Sequence, residues 1–222
     1  MISVFKALLK RELALALRQG GGLGAALAFL LAFLVLIPLS IGPDQATLSR
    51  LAPGLMWLAL LLAVLLTTER IFQPDYDDGS LDLLSAAVLP LEAVCGLKAL
   101  AHWLSVGLPL ALISAPLGIL LNLEADRLPS LLISMVLGSL SLSAIAAIAG
   151  AITAGLRRGG LLVPLLALPL YVPVLIFGVA AATGDLGPTG NGPARLILLG
   201  LALLLGAVQP WASAAAIRAY FR

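Results

Sequence analysis

Few side chains in this chain could do chemistry, and they fall in two places. Between Glu69 and Asp82, in "ERIFQPDYDDGSLDLL", five carboxylates occupy fourteen residues: Glu69, Asp75, Asp77, Asp78 and Asp82. Twenty residues further on, His102 stands in "AHW" as the sole histidine of 222 residues. An imidazole there has two readings. It is a haem axial ligand or proton-sensitive switch, or it is a neutral ring hydrogen-bonded between helices beside Trp103. Cys95 is the sole cysteine, which excludes an internal disulfide, a Cys-x-x-Cys redox pair, a Cys-x-x-Cys-His attachment site and a cysteine zinc site. No catalytic residue and no metal ligand is assigned.

These groups sit in an apolar chain. Hydrophobic residues make up 61% of it and charged residues 11%, against roughly 25% charged in a soluble domain. The apolar residues come in long unalternating runs, which read as membrane-spanning helices and not as barrel strands. The fold class is an all-α polytopic membrane protein, one transmembrane domain over residues 1–222. The net charge of +2 does not point to nucleic acid, because no basic face or aromatic-basic cluster exists. Lys6, Lys10, Arg11, Glu12 and Arg18 interrupt the first 18 residues, so no removable signal peptide is read there.

Stretches free of Asp, Glu, Lys and Arg place six spans, at about 20–41, 51–67, 99–121, 128–153, 161–182 and 196–217. With six spans both termini share a side. That side collects ten Lys and Arg residues and the other only Arg50, Arg127 and Arg195, so both termini are expected in the cytoplasm. The connections 42–50, 122–127 and 183–195 on the other side are too short to form a domain. Residues 1–18 read as an interfacial helix whose lysines and arginines snorkel toward headgroups. Trp57, Trp103 and Trp211 fit interface anchoring or packing. Pro164, Pro169 and Pro173 in the fifth span remove backbone donors, for a static kink or for bending.

The acidic segment then lies on the cytoplasmic side. Read helically from 78 onward, Leu81, Leu84, Ala87, Val88 and Leu91 share one face, and Asp78, Asp82, Ser85 and Glu92 the other. Asp77 or Asp78 suits the start of such a helix, and Pro90 begins a new one. A helix this short needs a surface to be stable. Either it docks its acidic side in a basic or polar groove of another protein, or it is a solvated turn with leucines tucked under the bundle.

"ERIFQPDYDDGSLDLL", with "IPLSIGP" and "LAPG" before it and "KALAHW", "GLRRGG" and "LPLYVPVLIF" after it, resembles the haem exporter protein B family in order over nearly the whole chain. That family is the permease subunit of the ABC-type complex for bacterial cytochrome c maturation. The resemblance implies a coupling helix at about 78–89 that docks into a separate ATPase subunit. Glu69, Asp75, Asp77, Asp78, Gly79, Leu81, Asp82 and Leu84 are then the contact residues, and Arg157 and Arg158 of "GLRRGG" a second cytoplasmic contact or simply a topology signal. The partners implied are two ATPase copies, which alone bind ATP and Mg, another membrane subunit that handles haem, and a haem chaperone. The setting implied is the bacterial inner membrane, with the lipid bilayer around the spans. No cofactor is expected to be firmly bound, and haem is transported or handled.

The residues agree with an outside source of energy. Lys6, Lys10 and Lys98 are followed by Ala, Arg and Ala, so no P-loop exists, and the spans lack the ionisable residues of gradient-driven pumps apart from His102. What the motion achieves stays open between passage of haem through this chain and release of a haem-loaded chaperone. A scaffold without transport is the rival of a different class, and a gradient-driven transporter the third.

Overall fold

The computed structural model describes residues 2–18, 22–42, 44–86, 89–156, 159–184, 190 and 192–220, and every regular element among them is helical. The chain opens with α1 (Ile2–Arg18), α2 (Gly22–Ile41) and α3 (Gln45–Leu65). A 3-10 turn at Thr68–Ile71 leads into two short helices, α4 (Gln73–Asp77) and α5 (Ser80–Ser85). Then α6 (Leu91–His102) and α7 (Leu108–Leu117) follow, joined through one π turn at Trp103–Gly107. The chain finishes with α8 (Leu128–Thr153), α9 (Gly159–Thr183) and α10 (Gly192–Tyr220). Six helical stretches are long and apolar enough to cross a membrane, the third running unbroken over Leu91–Leu121. An even number of crossings brings both termini to one end of the bundle, called here the terminal end.

Boundaries differ from those expected wherever a cap or a charge lies just outside an apolar run. Asp44 accepts hydrogen bonds from the amides of Ala46 (3.1 Å) and Thr47 (3.3 Å), so α3 begins at Gln45 and carries Arg50 inside its first turns. The third span starts at Leu91 instead of 99, because Pro90 precedes a continuous helix that includes Glu92 and Lys98. The helix expected over 78–89 is only α5. Gly79 in the left-handed region (φ 75°) separates it from α4, and Ala87 and Val88 lie outside the described residues.

Helix α8 is the central post. Of its most apolar window 67% is buried, against 22% for α2 and for α10. Its small residues let neighbours approach closely. Trp57 of α3 fills the slot this creates: a Cβ on Gly138 of α8 or Gly178 of α9 would run into its indole ring. Its Nε1 donates to Ser134 Oγ at 3.2 Å. Several other polar groups of α8 are used similarly, although the buried hydroxyls of Ser141 and Ser143 have no partner among the described residues. Trp103 Nε1 donates to Ser139 Oγ at 3.0 Å, Tyr171 hydroxyl to the Leu142 carbonyl at 3.2 Å, and Ser213 hydroxyl to the Ala147 carbonyl at 3.3 Å. Pro164, Pro169 and Pro173 lie within the uninterrupted α9, and Trp211 faces outward.

Candidate functional site

The acidic segment is held as a rigid hairpin at the terminal end. Pro74 sits in the first turn of α4, where its missing amide costs nothing. After Gly79, Asp78 Oδ1 accepts from the Ser80 amide at 2.8 Å and starts α5. The hairpin is fixed from below at several points. Leu81 is buried in the main core, while Leu84 packs on a second cluster of Leu8, Leu89, Val94 and Leu97. Gln73 Oε1 accepts from the Gly155 amide at 3.2 Å, and the Tyr76 ring meets Tyr220 edge-on at 6.4 Å. Gly155 has φ 76° and no room for a Cβ beside Tyr76, so this turn needs glycine twice over.

The five carboxylates have separate fates. Asp77, Asp78 and Asp82 face outward with Gly79, and Leu83, next to Asp82, is 74% exposed. Asp77 accepts from Gln73 Nε2 at 2.8 Å. Glu69 is exposed, and its carboxylate sits against Gly160 at the start of α9. Asp75 alone is buried.

Asp75 belongs to an ion network that ties three elements together. Lys98 of α6 pairs with Asp75 of α4 and, at 2.9 Å, with Glu12 of α1. Arg11 of α1 pairs with Asp75 at 2.9 Å and Glu12 at 2.7 Å. The Ser80 hydroxyl donates to Asp75 at 2.7 Å, and the Lys98 ammonium stands 5.8 Å from the centre of the Phe72 ring. Burial alone would raise the Asp75 carboxyl; the Lys98 charge, the hydrogen bonds from Lys98 and Ser80, and Arg11 outweigh it and hold the group below the ordinary carboxylate range. Lys6 and Lys10 are exposed on α1, but Arg11 turns inward.

His102, one helical turn beyond Lys98, is 8% exposed. Thr67 donates its single hydroxyl proton to the Val64 carbonyl at 2.7 Å. The 2.8 Å bond between Thr67 Oγ1 and His102 Nε2 therefore needs the ring nitrogen as donor. In the neutral ring Nδ1 is then the lone-pair nitrogen, and it has no partner among the described residues. Both residues line a cleft of about 140 Å³ between α1, α2, α4 and α6. The π turn begins at the next residue, Trp103; such turns concentrate at functional sites.

Sequence reasoning counted Asp75 among the carboxylates that face a partner and left the leucines, Leu81 among them, to anchor the helix in that partner or under the bundle; both Asp75 and Leu81 are buried. It missed the exposed Leu83 and Tyr76 and the pairing of Arg11 and Glu12 with Lys98. A usable signal existed: adjacent opposite charges in the middle of an apolar helix, and Lys98 and His102 four residues apart on one helical face. Arg157 and Arg158 lie outside the described residues.

Fold and site together define a class: a six-span helical membrane protein whose terminal end carries a fixed hairpin with a buried ionic root and an exposed acidic face. The family model described as CcmB protein matches residues 3–220, and the chain belongs to that family. Its relatives include Heme exporter protein B of Paracoccus denitrificans, 51% identical over 98% of this chain and 100% of the relative. That of Rhodobacter capsulatus is 48% identical over 98% and 100%, and that of Escherichia coli K12 40% identical over 97% and 98%.

Proposed function

We propose that this chain is the permease subunit of an ABC-type haem-export complex in cytochrome c biogenesis, set in the bacterial inner membrane with its terminal end in the cytoplasm. A separate ATPase, in two copies, hydrolyses ATP and drives the α4–α5 hairpin. The observation that carries this reading is the division of the hairpin into two faces. Asp77, Asp78, Asp82 and Leu83 are all exposed, which leaves acidic and apolar side chains free for a partner. Asp75, Gln73, Tyr76 and Leu81 tie the same hairpin to α6, to the α8–α9 turn, to α10 and to the core. A push on the outer face is thereby delivered to three spans at once, with little lost in a flexible joint.

Release of a haem-loaded chaperone is preferred to passage of haem through this chain, because His102 is buried, with Nε2 on Thr67 and Nδ1 enclosed by the protein; stoichiometric haem on the purified chain that is lost on changing His102 would reverse the preference. Replacing Asp77, Asp78 and Asp82 together by lysine removes none of the ion pairs of Asp75 but does remove the Asp78 cap of α5, so helicity and monodispersity of the variant are checked first. The expected result is loss of ATPase co-purification and of cytochrome c yield; retention of both would favour a scaffold without coupling.

A further inference from the structure

The third span is longer than a crossing needs, and its α-helical ladder is interrupted by a π turn. It runs over 31 residues, Leu91–Leu121, where about twenty cover the hydrocarbon core. Counted back from Leu121, that many residues end near His102. Helix α6 is therefore a surplus arm at the terminal end, and the π turn Trp103–Gly107 lies where the arm meets the core. The two sides of the turn have different neighbours. Lys98 ties the arm to the hairpin and to α1. Its hydrogen bonds to α10 are few: Gln209 Nε2 donates to the Cys95 carbonyl at 3.2 Å, and Arg218 to Glu92 at 2.6 Å. Beyond the turn, Leu110, Ala111, Ser114 and Ala115 are buried in the bundle.

The backbone ladder is weak at this level. The Leu108 amide donates to the Trp103 carbonyl, and Pro109 has no amide to give. The Leu104 carbonyl is thereby denied both its α partner, at 108, and its π partner, at 109. Orphaned carbonyls are costly beside hydrocarbon, and π turns and prolines are where helices bend. The turn rests on α8 unevenly. At the arm end, Trp103 Nε1 donates to Ser139 Oγ at 3.0 Å. At the core end, a Cβ on Gly107 would stand 2.6 Å from Ser143 Oγ, yet that hydroxyl has no hydrogen-bond partner among the described residues. One end is held by a hydrogen bond and the other by contact alone, as in a pivot. There is also room to move, because the cleft of about 140 Å³ borders the arm at Lys98, Ala101, His102 and Ser105.

We propose that the third span is hinged at Trp103–Pro109. The arm α6 swings with the hairpin and α1 toward the start of α2 and closes the cleft, while residues from Leu110 outward stay with the bundle. This rests on the coupling reading above and adds where the motion is converted. The hairpin is attached rigidly to the arm, and the joint lies beyond that attachment, inside the span. A displacement of the hairpin then reaches the core as a change of bend at one turn, not as the shift of a whole rod.

Amide exchange of the assembled complex in nanodiscs, nucleotide-free and vanadate-trapped, tests the hinge. Trapping should change exchange over residues 103–109 and leave residues 111–117 as they were. Pro109→Ala supplies the missing donor and favours the straight joint. A hydrogen bond of ordinary net worth shifts the straight–bent balance by roughly fivefold. The nucleotide response of the turn should shrink by about that factor and cytochrome c yield should fall, with ATPase co-purification unchanged. Pro116→Ala, which supplies a donor within α7 away from the turn, should alter neither response nor yield. The hinge is overturned if the response spreads evenly over 91–121, or is absent from 103–109 while the bound ATPase hydrolyses ATP. It is overturned too if Pro109→Ala, still helical and monodisperse, keeps the full response, or if Pro116→Ala reduces it equally. A chain that never captures the ATPase would refute coupling itself, and the hinge with it.

Discussion

Lys98→Met is the sharpest perturbation of the anchor beneath the hairpin. The Lys98 side chain is 2% exposed and serves two carboxylates, Asp75 at 9% and Glu12 at 11%. The network holds two cations and two anions; without Lys98 it holds one cation, Arg11, and two nearly buried anions. Stranding a buried charge by deleting its partner costs about 3–5 kcal/mol. Arg11 still bridges Asp75 and Glu12, and the carboxylates keep an edge on water, so the low end, about 3 kcal/mol, is expected. That is a factor of about a hundred in the equilibrium between docked and undocked α1. Hydrogen exchange of the α1 and α4–α5 peptides in nanodiscs reads it directly: their protection should fall about a hundredfold while that of α8 stays. The triple variant Glu12→Gln, Asp75→Asn, Lys98→Met removes the stranded charges along with their partner and should recover most of the protection. Unchanged exchange in Lys98→Met, or a triple variant as loose as the single one, would refute the claim that this network roots the hairpin.

Two further outcomes follow from the same geometry. Because the Asp75 carboxyl is held below its ordinary value of 3.8, its stabilising contribution is complete above that pH and is lost as the pH falls through the lower folded value; α1 protection should be flat from about pH 8 to about pH 4 and fall only below. In Lys98→Met, where burial is opposed only by Arg11 and the remaining hydrogen bonds, the downward shift shrinks, so the loss of protection at low pH should be smaller than in the unchanged chain. Gly138→Leu forces a side chain into the space held by the Trp57 indole, and overpacking of this kind costs about 1–3 kcal/mol or more; the thermal midpoint in detergent should drop and the Trp57 emission shift, whereas Gly200→Leu on the open side of α10 should change neither.

The spans were legible because the bilayer imposes one rule on them, a run of apolar residues of sufficient length, and "LLISMVLGSLSLSAIAAIAGAIT" satisfies it visibly. Their ends were less so. The rule of charge-free runs cannot see that Asp44 caps α3 seven residues before the run begins, nor that Glu92 and Lys98 ride on a helix already formed. The acid of residues 69–82 was obvious as composition, but its division was not. Leu81 inward was readable from periodicity. Asp75 inward was not, since that depends on a cation 23 residues later and two charged residues more than sixty residues earlier. The open Nδ1 of His102 depends on which acceptor the Thr67 hydroxyl chooses, a detail of three-dimensional packing alone.

The account turns on where the exposed face of α4–α5 points in the working complex. A photo-crosslinking amino acid at Leu83, 74% exposed on α5, with a control at Leu165 on the outer side of α9, asks this in intact cells. The account predicts an adduct between position 83 and the ATPase whose yield changes when nucleotide hydrolysis is blocked, and none from position 165. A complex that retains its ATPase yet gives no adduct from position 83 would contradict it.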